Sequence, residues 1–294
     1  MHPADAPRGA IFPRSLPVTG NLPANSAIMS DGDRHERSQP KGWAMDLIVS
    51  LLSYALCIVF YIRMYARETP EPMERKAAVL PVALGMVTPF LSTVMVMLAG
   101  LLVLNVFGKP LSDLIPTLTL KSLVSSFFAA GLAEELSKLL VYLLVVRLVK
   151  PKNVYEHGVL CAGVGVGFTA LEELLYGSGN IVVSLIRLPV FAMHMALGII
   201  MGTNLGRARY AQQEGDANAN LYLILGLAVP VLWHTVYDAA TVMNAGFAVE
   251  DEAVVVMAIT VSLAVVLVSA VFQFLVLNRF KGERGEYCSL ELHE

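Results

Sequence analysis

Ala130-Gly131-Leu132-Ala133-Glu134-Glu135-Leu136-Ser137-Lys138-Leu139 sets two adjacent carboxylates and a lysine inside an otherwise apolar run, Ser122 to Val146. An ionisable group at the centre of a membrane helix costs about 2.5–3.5 kcal/mol on insertion scales. Several of them this close together need strong compensation or a chemical task. Glu134 and Lys138, four apart, share one helix face in the order that favours an ion pair, while Glu135 points about 100° away. Read as a membrane helix, this stretch makes the chain an integral membrane protein with a polar centre inside the bilayer.

Composition agrees with that reading. Of 294 residues, 56% are hydrophobic and 15% charged, and mean hydropathy is +0.63; soluble domains carry about 25% charged residues. A net charge of −3 with basic residues confined to short loops offers no surface for nucleic acid. Cys57, Cys161 and Cys288 lie far apart and form neither a disulfide framework nor a Cys-x-x-Cys zinc site.

Outward from the quoted stretch, the chain divides into about seven apolar runs, each near the length that crosses a bilayer. They are Trp43 to Ile62, Ala77 to Val106 (bending at Pro81 or Pro89), Ser122 to Val146, Val154 to Gly177, Val182 to Leu205, Leu221 to Val242 and Ala253 to Leu277. Between the second and third, Lys109 to Lys121 is too short to span and is expected at the interface. The expected fold is all-α, a polytopic bundle of transmembrane helices at 43–278, after a disordered polar tail at 1–42 and before a charged cytoplasmic tail at 279–294. Ile11-Phe12 is followed at once by Pro13, so no signal-peptide core precedes Trp43, and the first helix is expected to direct insertion. Lys and Arg cluster after the first, third and fifth runs and in the C-terminal tail, which predicts an outside N-terminus and a cytoplasmic C-terminus.

Later runs carry further polar residues. Phe168, Glu172 and Tyr176 share one face of the fourth, in a stretch beginning Gly163-Val164-Gly165-Val166-Gly167. His194 stands in an apolar setting before Gly198, Gly202 and Gly206, a series that packs helices closely; alone it reads as structural. His234 and Asp238 are one turn apart on the sixth. Glu173 is expected to snorkel to the interface, and Arg187 to anchor there. With alternating helices, Glu134, Glu135, Glu172, His194, His234 and Asp238 fall in one slab, at mid-depth or toward the outer side, as a single polar cavity requires.

Glu134-Glu135-Leu136-Ser137-Lys138, Phe168-Thr169-Ala170-Leu171-Glu172 and His234-Thr235-Val236-Tyr237-Asp238, in this order on membrane runs, resemble the markers of the PrsW family of intramembrane proteases, distant relatives of the CAAX prenyl protease and Abi proteins. The segment around His194 also resembles that family's intervening helix, whereas Glu173 stands where asparagine is common. The resemblance implies a bacterial membrane enzyme that cuts a membrane-anchored, single-pass protein, such as an anti-sigma factor, within or near the outer half of the bilayer. Such chemistry needs activated water and oxyanion stabilisation. Glu134 or Glu135 is the expected general base, acting on water bound to a metal held by Glu172, His194 and His234. Zinc suits that donor set. In a metal-free version, a glutamate and His234 activate water directly. Asp238 is expected to orient His234, and Lys138 to neutralise the glutamate it faces. The alternative reading is a proton-coupled transporter or channel, which would also cluster carboxylates and histidines at mid-depth.

Overall fold

A computed structural model describes residues 43–66, 73–115, 117–176, 184–185, 187–241 and 252–282. The polar N-terminal tail, the last part of the charged C-terminal tail and the acidic loop before the last helix lie outside the described residues. Those described are helical, with no strand among them. In chain order the helices are α1 (Trp43–Tyr65), α2 (Arg75–Gly85), α3 (Thr88–Phe107), α4 (Leu111–Leu114), α5 (Leu118–Ser126), a π-helical turn (Phe127–Leu132), α6 (Ala133–Val149), α7 (Val154–Tyr176), a 3₁₀ turn (Leu188–Val190), α8 (Met193–Gln213), α9 (Ala219–Thr241) and α10 (Glu252–Gly282).

Among the described residues, six stretches are long and apolar enough to cross a membrane: Leu47–Tyr65, Arg75–Phe107, Val154–Leu175, Leu188–Gln213, Ala219–Thr241 and Val255–Phe280. The remaining expected span carries Glu134, Glu135 and Lys138. It is an unbroken helical run from Leu118 through the π-turn to Val149. The second run is interrupted at Met86–Val87, just before Pro89, which lacks the N–H that would continue the ladder. Pro81 stays inside α2. It leaves the Ala77 carbonyl without its usual donor, and the Tyr61 hydroxyl of α1 lies 3.4 Å from that oxygen and 3.0 Å from the Ala78 carbonyl.

The fifth helix departs from its expected bounds of Val182 to Leu205. It starts at Met193, after a turn containing Pro189 and a non-helical Ala192, and runs on to Gln213. The turn is fixed by Gln273 of α10, whose side chain accepts from the Ala192 N–H at 3.0 Å and donates to the Pro189 carbonyl.

The helix at the centre is α7. Of its most apolar stretch 78% is buried within the protein, against 6% for α2–α3 and 11% for α10, whose apolar side chains are left for lipid. Helix α8 lies against α7 so closely that a Cβ at Gly165 would come 2.3 Å from the His194 carbonyl oxygen. Small residues permit such an approach, and here it brings His194 onto the face of α7 that carries Phe168 and Glu172.

Candidate active site

Four helical segments deliver the polar side chains to one place. The π-turn widens the helix just ahead of Glu134 and Glu135 and seats Gly131 directly against α9, where a Cβ would lie 2.1 Å from Thr235 Oγ1 and 2.7 Å from the Val231 carbonyl oxygen. Insertions of this kind recur at functional sites, because they re-aim the residues that follow. Glu135 thereby reaches α9, its Oε1 lying 2.8 Å from His234 Nδ1. The same oxygen accepts from Lys138 Nζ at 2.8 Å. Glu135 and Lys138 are 0% and 2% exposed, a burial that ionised groups tolerate only when paired.

Lys138 lies at the centre of the group. Its ammonium is 3.6 Å from Glu134 Oε2, 3.1 Å from His194 Nδ1 and 3.8 Å from the centre of the Phe168 ring. The i,i+4 pairing expected with Glu134 is therefore the looser contact, and the i,i+3 pairing with Glu135 is the hydrogen bond; both spacings are neighbours on a helix.

Donor and acceptor capacity settles the histidine tautomers. An ammonium only donates, so His194 Nδ1 accepts; in the neutral ring Nε2 then carries the hydrogen and donates to Glu172 Oε2 at 2.6 Å. The carboxylate of Glu135 only accepts, so His234 Nδ1 donates; in the neutral ring Nε2 then keeps its lone pair. That Nε2 faces Glu134 Oε2 at 3.6 Å and Asp238 Oδ1 at 3.9 Å. The carboxylate orienting His234 is thus Glu135, and not Asp238 as expected from the one-turn spacing. The two imidazoles meet edge to face, their centres 5.1 Å apart.

The expected ligand Glu172 is engaged elsewhere: besides His194, its Oε1 pairs with Arg187 Nη2 at 3.3 Å. The same nitrogen is 3.3 Å from Glu173 Oε1, so the two residues expected as separate interface anchors bind each other at the edge of the site. Glu134, His194 and His234 each offer a ligand atom, and these atoms all lie within 4.8 Å of one another. Glu134 Oε2 is buried without a hydrogen-bond partner among the described residues. A buried carboxylate oxygen with no hydrogen bond, held only by the 3.6 Å ion pair with Lys138 and facing His234 Nε2, suits a divalent cation.

Every residue named from the sequence, Glu134, Glu135, Lys138, Glu172, His194, His234 and Asp238, belongs to this network. Arg187 and Gln273 were missed. Arg187 had a signal in the charge balance, since four carboxylates faced a lone lysine; Gln273, a single amide in an apolar run, had none.

Fold and site together define a polytopic helical membrane protein with a buried carboxylate–histidine–lysine centre. A profile of the PrsW family, described as intramembrane metalloproteases, matches residues 53–271, and the chain belongs to that family. Among curated relatives, it is similar to Protease PrsW of Bacillus subtilis, 35% identical over 38% of this chain and 52% of the relative, and to that of Halalkalibacterium halodurans, 31% identical over 40% and 54%. Protease PrsW of Clostridioides difficile is 28% identical over 66% of this chain and 78% of its own length. The chain thus spans about half the length of the first two relatives. No solved structure gives a significant match.

Proposed function

We propose that this protein is an intramembrane endopeptidase that cuts a membrane-anchored, single-pass protein within or near the outer half of a bacterial cell membrane. One observation carries the reading. Donor atoms of Glu134, His194 and His234 converge within 4.8 Å inside an apolar bundle, in a member of a family described as metalloproteases. The transporter reading has no comparable support.

Glu134, His194 through Nδ1 and His234 through Nε2 would hold a divalent ion such as zinc. When bound, such an ion supplies a water of lowered pKa and polarises a carbonyl oxygen. Glu135 holds His234 by its Nδ1–H, and Glu172 holds His194 by its Nε2–H; His194 Nδ1 would take the ion in exchange for its hydrogen bond from Lys138. Asp238 is the carboxylate left on the side of His234 Nε2. It takes a proton from the attacking water and returns it to the leaving amine as the C–N bond breaks. Lys138 balances Glu134 and Glu135.

A specific contact favours a second reading. The Lys138 ammonium already lies at His194 Nδ1, where it could stabilise an oxyanion without metal while Glu134 serves as the base. Chelation separates the two. Purified protein is reconstituted with a panel of single-pass reporters differing in their outer juxtamembrane sequence, and cleavage is followed before chelation, after exhaustive chelation and after added zinc. Loss and recovery are expected; cleavage indifferent to chelation would overturn the metal assignment.

A further inference from the structure

Arg187 belongs to none of the motifs that mark the site, yet it lies one bond network away from the imidazole of His194. Its Nη2 is 3.3 Å from Glu172 Oε1, and the other oxygen of that carboxylate is 2.6 Å from His194 Nε2. On the opposite side of the centre, Lys138 holds Glu135 at 2.8 Å and Glu135 holds His234 Nδ1 at 2.8 Å. Each imidazole is therefore backed by a carboxylate, and each carboxylate by a cation. The two chains come from different parts of the sequence, α6 with α9 in one case and the segment before α8 with α7 in the other.

We propose that Arg187 is a positioning residue of the centre. It fixes Glu172 so that His194 is held in its Nε2–H tautomer, with Nδ1 left as the acceptor that meets Lys138 at 3.1 Å, and the ring stays within 4.8 Å of ligand atoms of Glu134 and His234. Without the guanidinium, Glu172 has no countercharge on that side and can swing toward the Lys138 ammonium, which would free the ring to flip or exchange tautomer. The segment from Arg187 to His194 is short and held from a second side by Gln273. Arg187 therefore acts on the direction of the imidazole without being needed to form α8.

The inference rests on the metal-centre reading, and cobalt titration of the full-length protein in detergent tests both separately. The ion alone is the probe, read by its visible absorption and by competition with a chelating dye. Arg187→Met is expected to weaken cobalt binding by about 10–100-fold, the usual scale for partners behind a ligand, and to change the absorption. Arg187→Lys should recover most of the affinity, and Gly100→Ala, where an added methyl meets nothing within 4 Å, should bind as wild type does. Combined with Glu172→Gln, Arg187→Met should add little further loss, which a merely structural role would not produce. Wild-type affinity and spectrum in Arg187→Met, or losses that add in full, would overturn the proposal. If Arg187→Met does not fold, Arg187→Gln takes its place: wild-type affinity and spectrum would overturn the proposal, and a loss to which Glu172→Gln adds little would support it. Failure of wild type to bind cobalt, or unaltered binding by His234→Ala, would instead contradict the metal centre, and the inference would fall with it.

Discussion

At the scale of single residues, Glu135 and Lys138 form a buried ion pair at 2.8 Å. Glu135 takes two hydrogen bonds on one oxygen, and Lys138 has acceptors and an aromatic face around its ammonium. Removing one member of a buried pair strands the other, at a cost of about 3–5 kcal/mol. Lys138→Met is therefore expected to lower stability toward the small end of that range, since His234 still donates to Glu135, and thermal unfolding in detergent reads it. Glu135→Gln keeps the shape but loses the charge that orients His234 and that pairs Lys138; cleavage and metal affinity should fall about 10–100-fold, together with a loss of stability, since Lys138 is left with Glu134, at 3.6 Å, as its counter-charge. The sequence exposed these residues because charge in an apolar run is costly whatever surrounds it. Their partners were less legible. Helix spacing favoured Glu134 for Lys138 and Asp238 for His234, whereas the bonds run to Glu135, because the relative placement of α6 and α9 decides which carboxylate lies in reach.

At the scale of elements, the π-turn is the piece on which the site's geometry depends. Phe127-Phe128-Ala129-Ala130-Gly131-Leu132 reads as ordinary apolar helix, and nothing in its composition marks the extra residue per turn. The signal that could be read was Gly131, a residue without Cβ beside the charged motif. Gly131→Ala would force its methyl against the Val231 carbonyl oxygen and Thr235 Oγ1. The displacement falls between Glu135 and His234, so cleavage should drop by at least about tenfold, more than a thermal shift of a few degrees would account for. Gly100→Ala has nothing within 4 Å of the new methyl and should match wild type in both assays. The helices themselves were largely visible from hydropathy. The start of α8 was not, because Pro189 and the hold of Gln273 on the turn delay the helix beyond the first apolar residue.

At the scale of the whole molecule, the protein sorts its apolar surface by depth in the bundle: α7 and α8 are enclosed, while α3 and α10 present their side chains outward. The polar centre is thereby built on the enclosed helices and not on the outward-facing ones. The basic loops predict that the turn between α8 and α9 is cytoplasmic and the turn after α3 is not. With Cys57 and Cys161 buried, a Cys288→Ser background permits a direct test with an impermeant thiol reagent. Lys109→Cys should be labelled in intact cells and Ala217→Cys only after permeabilisation; the reverse pattern would invert the orientation. Six of the seven expected spans followed from apolar length among the described residues; the motif-bearing run, with its charges, is not among those six. The most direct measurement of the central claim is the rate at which reconstituted wild-type protein and Glu134→Gln cut the same membrane-anchored reporter. Wild type is expected to cleave it at one site near the membrane, and Glu134→Gln, still folded and inserted, to be slower by about 10²-fold or more. Equal rates for the two proteins would contradict a hydrolytic centre built on Glu134, His194 and His234.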